Sequence, residues 1–158
     1  MNRDEDERLR DKHFLIAVDQ TEDAKRAVLY VAGLIGGFPG FRATLMSVVQ
    51  EPEEDFFTSD QERAAWIEGK TAELQKYLEK YREILIQSGF DEDKVAIQLC
   101  KGNTASLAET ILSFQCDMSC CTIVVGRQHK SRTEEFLFGS ISSQLIREAK
   151  NCAVWVVE

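Results

Sequence analysis

From Cys121 to Ser143 the chain reads CTIVVGRQHKSRTEEFLFGSISS, a stretch whose residue types suit the binding of an anion. A short apolar run, Thr122 to Val125, enters Gly126, and a polar loop then leads to Gly139 and Ser140, where a helical pattern begins. The loop carries Arg127, His129, Lys130 and Arg132 in a protein whose formal net charge is -8. Loop amides followed by a helix N-terminus form a natural cradle for phosphate or carboxylate. Glycine at the edges lets peptide N–H groups approach such a ligand closely and permits positive φ.

A second feature lies far upstream. The apolar run FLIAV, Phe14 to Val18, ends at Asp19, and an acid at the carboxyl end of a buried strand is well placed to accept a hydrogen bond from a ligand. Asp19 could equally cap the following helix or its turn. Elsewhere the sequence contains no G-x-S-x-G elbow and no Walker pattern G-x4-G-K-[ST], and its histidines are His13 and His129. No catalytic constellation emerges. Slow ATP hydrolysis through water held by Asp19 or Glu134 stays open, without a residue that selects itself as general base.

The five cysteines, Cys100, Cys116, Cys120, Cys121 and Cys152, are odd in number and sit in apolar contexts, which predicts reduced core thiols and no metal set. His13, just ahead of the first apolar run, is expected on the surface. With Lys+Arg 19 against Asp+Glu 27, a broad surface for duplex nucleic acid is excluded as the working expectation. No run is long enough to span a bilayer, and the opening residues MNRDEDERLRDK lack the apolar core of a secretory signal, so the expectation is a cytoplasmic protein with no membrane contact.

The elements that must position these residues follow from hydrophobic spacing. Residues 1–12 are nearly all charged and predict a loose arm; residues 13–158 fit one domain. Thr21 caps a predicted helix with Ala24, Ala27, Val28, Val31 and Leu34 or Ile35 on its inner stripe, ending at the Gly36 to Gly40 turn. Ala43 to Val49 reads as a second buried strand. EPEEDFF reads as an acidic surface loop whose Phe56 and Phe57 fold back onto the domain.

Ser59 and Glu62 have capping-box spacing and open a long helix, with Trp66, Leu74, Tyr77, Leu78, Tyr81 and Leu85 as its core stripe and Gly89 as its stop. Val95, Ile97 and Leu99 alternate, as in an edge strand. A third helix presents Leu107, Ala108, Ile111 and Leu112 and closes at Asp117, and a fourth presents Ile141, Leu145, Ile146 and Ala149. Ala153 to Val157, AVWVV, is the last strand. The alternation predicts an α/β fold with a mostly parallel five-stranded sheet and helices on both faces.

Two residues separate Gly126 from His129 and nine separate His129 from Gly139-Ser140, which resembles the G-x2-G-x9-G-[ST] loop of the universal stress protein family with His129 in place of the middle glycine. VDQTEDAKRAV, LMSVV and LCKGNTASLAETIL resemble further parts of that family, so the likeness runs from His13 to Val157. It implies strand order 3-2-1-4-5, an adenine nucleotide alpha hydrolase-like, Rossmann-like architecture with strands one and four adjacent at the switch point. It also implies a stress-response or regulatory protein that binds ATP or AMP, with Mg2+ accompanying ATP, and a homodimer formed through the last strand. Protein partners beyond that are not named by the resemblance.

By the same resemblance, Ala17 and Asp19 take nucleoside positions and Val48 an adenine-reading backbone position. Gly126, Arg127, His129, Gly139, Ser140 and Ile141 belong to the phosphate loop. A side chain at His129 in a left-handed backbone would cost about 1 to 2 kcal/mol. Three outcomes fit that departure: a differently bent loop, an imidazole that contacts phosphate, or loss of the nucleotide and retention of the fold as an interaction module. The bland alternative for Arg127, Lys130 and Arg132 is a solvated loop partly neutralised by Glu134 and Glu135.

Overall fold

The computed structural model describes residues 11–102, 107–127 and 140–158. Its strands are β1 (Lys12–Ala17), β2 (Phe41–Gln50), β3 (Val95–Gly102), β4 (Thr122–Gly126) and β5 (Ala153–Val157). Its helices are α1 (Glu22–Ile35), α2 (Asp60–Ser88), α3 (Leu107–Asp117) and α4 (Ser140–Glu148). The strands form one parallel sheet in the order β3-β2-β1-β4-β5, the order the resemblance implied. β3 lies at one edge, as its alternating pattern predicted, and β5 at the other.

Alternation along each strand divides the core. Phe14, Ile16 and Val18 face a cluster with Ala27, Val28 and Val31 of α1 and Leu78, Tyr81 and Leu85 of α2. Leu15, Met46, Ile123 and Val125 face the other cluster, with Ala108 and Ile111 of α3 and Leu145 of α4. Period-two strands covered on both sides thus become near-continuous apolar runs. The choice between Leu34 and Ile35 falls to Ile35, which is buried while Leu34 is exposed. Of the last helical stripe expected, Leu145 is buried and Ile141 and Ala149 pack against its cluster, while Ile146 is exposed.

Two glycines let the ends of α1 and α2 meet. Gly89 ends α2 at φ 124, and a Cβ there would stand 3.0 Å from the Gly36 carbonyl carbon. A Cβ on Gly36 would in turn strike Ser88. Predicted stop signals therefore also serve as a close crossing.

The structure corrects three expectations away from the candidate crevice. His13 is buried, since β1 starts at Lys12 and takes His13 into a central strand; its Nε2 lies 2.7 Å from the Thr44 hydroxyl. Cys116 is exposed, because the third helix turns it outward, whereas Cys120 is buried; all five thiols are free. Trp66 leaves the core stripe: the buried positions of α2 begin at Leu74, and Trp66 packs on Phe57 instead.

Burial, followed by the nearby Arg42 charge, holds the His13 imidazole below the ordinary histidine pKa, while a bond to the Met118 backbone opposes the shift only in part. The unfolded chain therefore binds a proton below about pH 6.5 before the native protein does. Stability should fall as pH drops from there toward the folded pKa. Urea midpoints compared for the native protein and His13→Gln should converge on the acid side and separate above pH 7; parallel curves would remove His13 from the acid response.

Candidate nucleotide site

The candidate site is built at the carboxyl ends of β1 and β4. Ala17 pairs in register with Val125 of β4 on one side and with Met46 of β2 on the other. Asp19, Val48 and Arg127 each follow those three residues by two positions, which puts Asp19 and Arg127 just past the ends of β1 and β4 and Val48 still within β2, opposite Cys100 of β3. This is the switch point, where the chain leaves β1 and β4 toward opposite faces and open α/β sheets hold ligands. Among the sequence-designated residues, Ala17, Val48 and Ile141 pack against the same apolar cluster, the one beneath α3 and α4. All three are half-buried.

The turn after β1 is held from three directions. The Ser47 hydroxyl donates to the Val18 carbonyl at 2.6 Å, and the Tyr81 hydroxyl donates to the Asp19 carbonyl at 3.0 Å. Asp19 Oδ1 accepts from the Thr21 backbone N–H at 2.8 Å and from the Thr21 hydroxyl. Thr21 Oγ1 then accepts the Ala24 N–H at 3.3 Å, completing the N-cap of α1. The carboxylate thus organises an Asx-type turn into the helix, which is one of the two roles the residue type allowed.

Hydrophobic spacing places Tyr81 in the core but does not anticipate the hydroxyl contacts by which Ser47 and Tyr81 hold this turn. The available signals were a hydroxyl inside the apolar run ATLMSVV and a phenol on a leucine-rich helical stripe, since buried tyrosine hydroxyls ordinarily have a partner. Tyr81 is only 1% exposed. Its burial, with a smaller contribution from the Asp19 charge, pushes the phenol pKa up to about 12, so it remains a donor across the physiological range.

Gly126 has a reason beyond ligand approach. A Cβ there would stand 2.6 Å from the Asp23 carbonyl carbon, nearer still to its oxygen, and 3.0 Å from Ala24 N. The first turn of α1 passes directly over this strand end. Arg127 continues the β4 to β5 ladder: its N–H donates to the Val157 carbonyl at 2.8 Å, and its guanidinium pairs with Glu158. These contacts turn Arg127 toward the end of β5. Ser140 is the first residue of α4. His129 and Gly139 lie outside the described residues.

The universal stress protein family model matches residues 11–158. The chain belongs to the universal stress protein family. Among curated proteins, none matches the sequence. Universal stress protein UspA from Lactobacillus plantarum is similar in structure, at 16% identity and TM-score 0.76, covering 94% of this chain and 99% of its own. A universal stress protein in complex with cAMP is similar at 16% identity and TM-score 0.68, covering 93% and 97%. The Archaeoglobus fulgidus family protein in complex with dAMP is similar at 17% identity and TM-score 0.63, covering 95% and 99%. At these identities the likeness speaks to the fold.

Among the described residues of this family member, no group of three His, Cys, Asp or Glu side chains is arranged to hold a metal ion. Nor is any helix there long and apolar enough to cross a membrane.

Proposed function

We propose that this protein is a regulatory stress-response protein of the cytoplasm that binds an adenine nucleotide, ATP or AMP, in the crevice between β1 and β4. The observation that carries the reading is the convergence of Ala17, Val48 and Ile141 on one apolar surface beside the pinned Asp19 turn. That surface suits a purine and ribose, and the helix beginning at Ser140 would offer its N-terminus to phosphate. Gly126, His129 and Gly139 would complete the phosphate loop. Mg2+ would arrive with the phosphates of ATP. Family relatives holding cAMP and dAMP support the ligand class.

The protein would act as a homodimer joined along β5, an edge strand. Val156 of that strand is exposed, as is Ile146 of α4, and Tyr30 of α1 packs on Trp155 at 6.2 Å. An apolar strand edge favours pairing with a second chain. Nucleotide occupancy would alter a surface read by protein partners.

A second reading keeps the fold and drops the ligand. It draws on the engagement of the Asp19 carboxylate with Thr21 and of Arg127 with Glu158, contacts that serve the architecture without any nucleotide. Acid extraction followed by chromatography separates the readings: adenine nucleotide near one per chain supports the first, and an empty extract with no heat on ATP or AMP titration supports the second. In calorimetry, Asp19→Asn should weaken nucleotide binding about tenfold or more, the loss expected when a charged hydrogen-bond partner is neutralised, while keeping the acceptor that Thr21 needs. Unchanged affinity would remove Asp19 from the ligand. ATP turnover no greater than that of the same variant would exclude hydrolysis as a function.

A further inference from the structure

The amino-terminal half of α2 adds no fully buried residue to the core. The buried residues of α2 are Leu74, Leu78, Tyr81 and Leu85, so residues 60–73, about 20 Å of helix, contain none. Along this stretch three aromatic rings meet in sequence, the first pair edge to face and the second tilted. Phe56 meets Phe57 at 5.1 Å, and Phe57 meets Trp66 at 5.8 Å. Phe56 remains 69% exposed, against the expectation that both phenylalanines fold back.

This platform is built firmly. Arg63 of α2 reaches back to Glu51 at 2.6 Å across the loop. Glu62 N–H donates to Ser59 Oγ at 3.1 Å, while the Glu62 carboxylate accepts from the hydroxyl and N–H of Thr58 in place of the reciprocal box bond to Ser59. The Glu51 N–H donates to the Gly102 carbonyl at 2.9 Å, which fixes the loop to the carboxyl edge of β3. The exposed Phe56 ring and the half-buried Phe57 and Trp66 rings are thus carried on a loop and helix end tied down by polar contacts.

The surroundings select the occupant by charge. From Glu51 to Glu62 the chain has six carboxylates and no lysine or arginine. Glu53, Glu54 and Asp55 are exposed immediately before the rings. A second copy meeting this face about a two-fold axis would bring acid against acid, and an anionic membrane would be repelled. A guanidinium or ammonium beside an aromatic face with carboxylates at its rim is favoured on both counts.

We propose that Phe56, Phe57 and Trp66 form a docking platform for a protein segment that alternates basic and apolar residues. The apolar residues lie on the rings and the cations reach Glu53, Glu54 and Asp55. The site is separate from the nucleotide crevice in the residues it uses.

The probe is a short fluorescent peptide of alternating arginine and leucine, titrated into the full chain by anisotropy. It should bind saturably, and Phe56→Ser, at an exposed position, should weaken it at least tenfold. Glu54→Lys should weaken it at least fivefold, while Glu109→Lys on α3, the same charge change elsewhere, should alter it less than twofold. Peptides of glutamate with leucine, or arginine with serine, should bind at least tenfold more weakly. The proposal is overturned by absence of binding to the native chain, by indifference to Phe56→Ser, by equal loss in Glu109→Lys, or by equal binding of the arginine and serine peptide. Sedimentation that shows a native dimer lost in Phe56→Ser would assign the rings to a second copy and overturn it as well.

Discussion

Gly126→Ala should cost this protein about 2 to 3 kcal/mol, and more if the backbone cannot move, because the added methyl has nowhere to go. The atoms it meets are the Asp23 carbonyl and the Ala24 nitrogen, main-chain atoms of the first turn of α1, and a rotamer change cannot clear them. Relief would require lifting that turn off β4. The movement would break into the Thr21 cap and the Asp19 turn attached to it. For a domain of this size the melting temperature should fall by roughly 5 to 10 °C.

Gly69→Ala is the matched control. Gly69 lies within α2 and a Cβ there meets nothing within 4 Å, so the same methyl should stabilise by up to about 1 kcal/mol through helix propensity. Urea denaturation of the two variants should therefore move in opposite directions. A Gly126→Ala protein of native stability would show that strand and helix are not in the close contact described, and would return Gly126 to a purely ligand-facing explanation. If the nucleotide reading is right, the variant should also lose affinity, since the displaced turn carries Asp19.

The spacing that exposed the fold did so because each buried strand must be apolar on both faces. ATLMSVV, TIVV and AVWVV each lie whole within a strand of the sheet, and FLIAV does so except for Val18, which follows the end of β1. Thr21 and Ser59 were readable as caps because their hydroxyls answer a local need for acceptors. What spacing could not carry was the partner across the fold. His13 read as surface because its burial depends on β2 and β4 lying on either side of β1. Trp66 has the right helical phase for the core, but phase does not say where along its axis a helix leaves the sheet.

The same limit governed the site. The alignment of Asp19, Val48 and Arg127 follows from strand order, and the order came with the family resemblance; Gly126 was found as a loop signal although its tightest contact is with α1. Arg127 entered as one positive charge among several near a loop. Its pairing with Glu158, at the far end of the chain, depends on β5 lying beside β4.

Tyr81→Phe should lower stability by about 1 to 2 kcal/mol, and Tyr81→Ala by about 3 to 5 kcal/mol, and the difference separates what the phenol oxygen does from what the ring does. The ring fills the core between α1, α2 and the sheet; the oxygen supplies the 3.0 Å bond that ties α2 to the Asp19 carbonyl. Removing the oxygen leaves that carbonyl short of a donor and loosens the turn at one of its three supports. Nucleotide affinity should then fall severalfold in Tyr81→Phe although the residue touches no ligand, and the loss should vanish in an Asp19→Ala background if Tyr81 acts through Asp19. Alkaline titration gives a third readout. Since the folded phenol is raised to about 12, the unfolded chain loses this proton first as pH climbs above 10, and native stability must decline between those values. Tyr81→Phe should lack that part of the decline. If its alkaline curve instead parallels the native one, the Tyr81 hydroxyl is not buried against Asp19, and the turn that supports the proposed site is held without it.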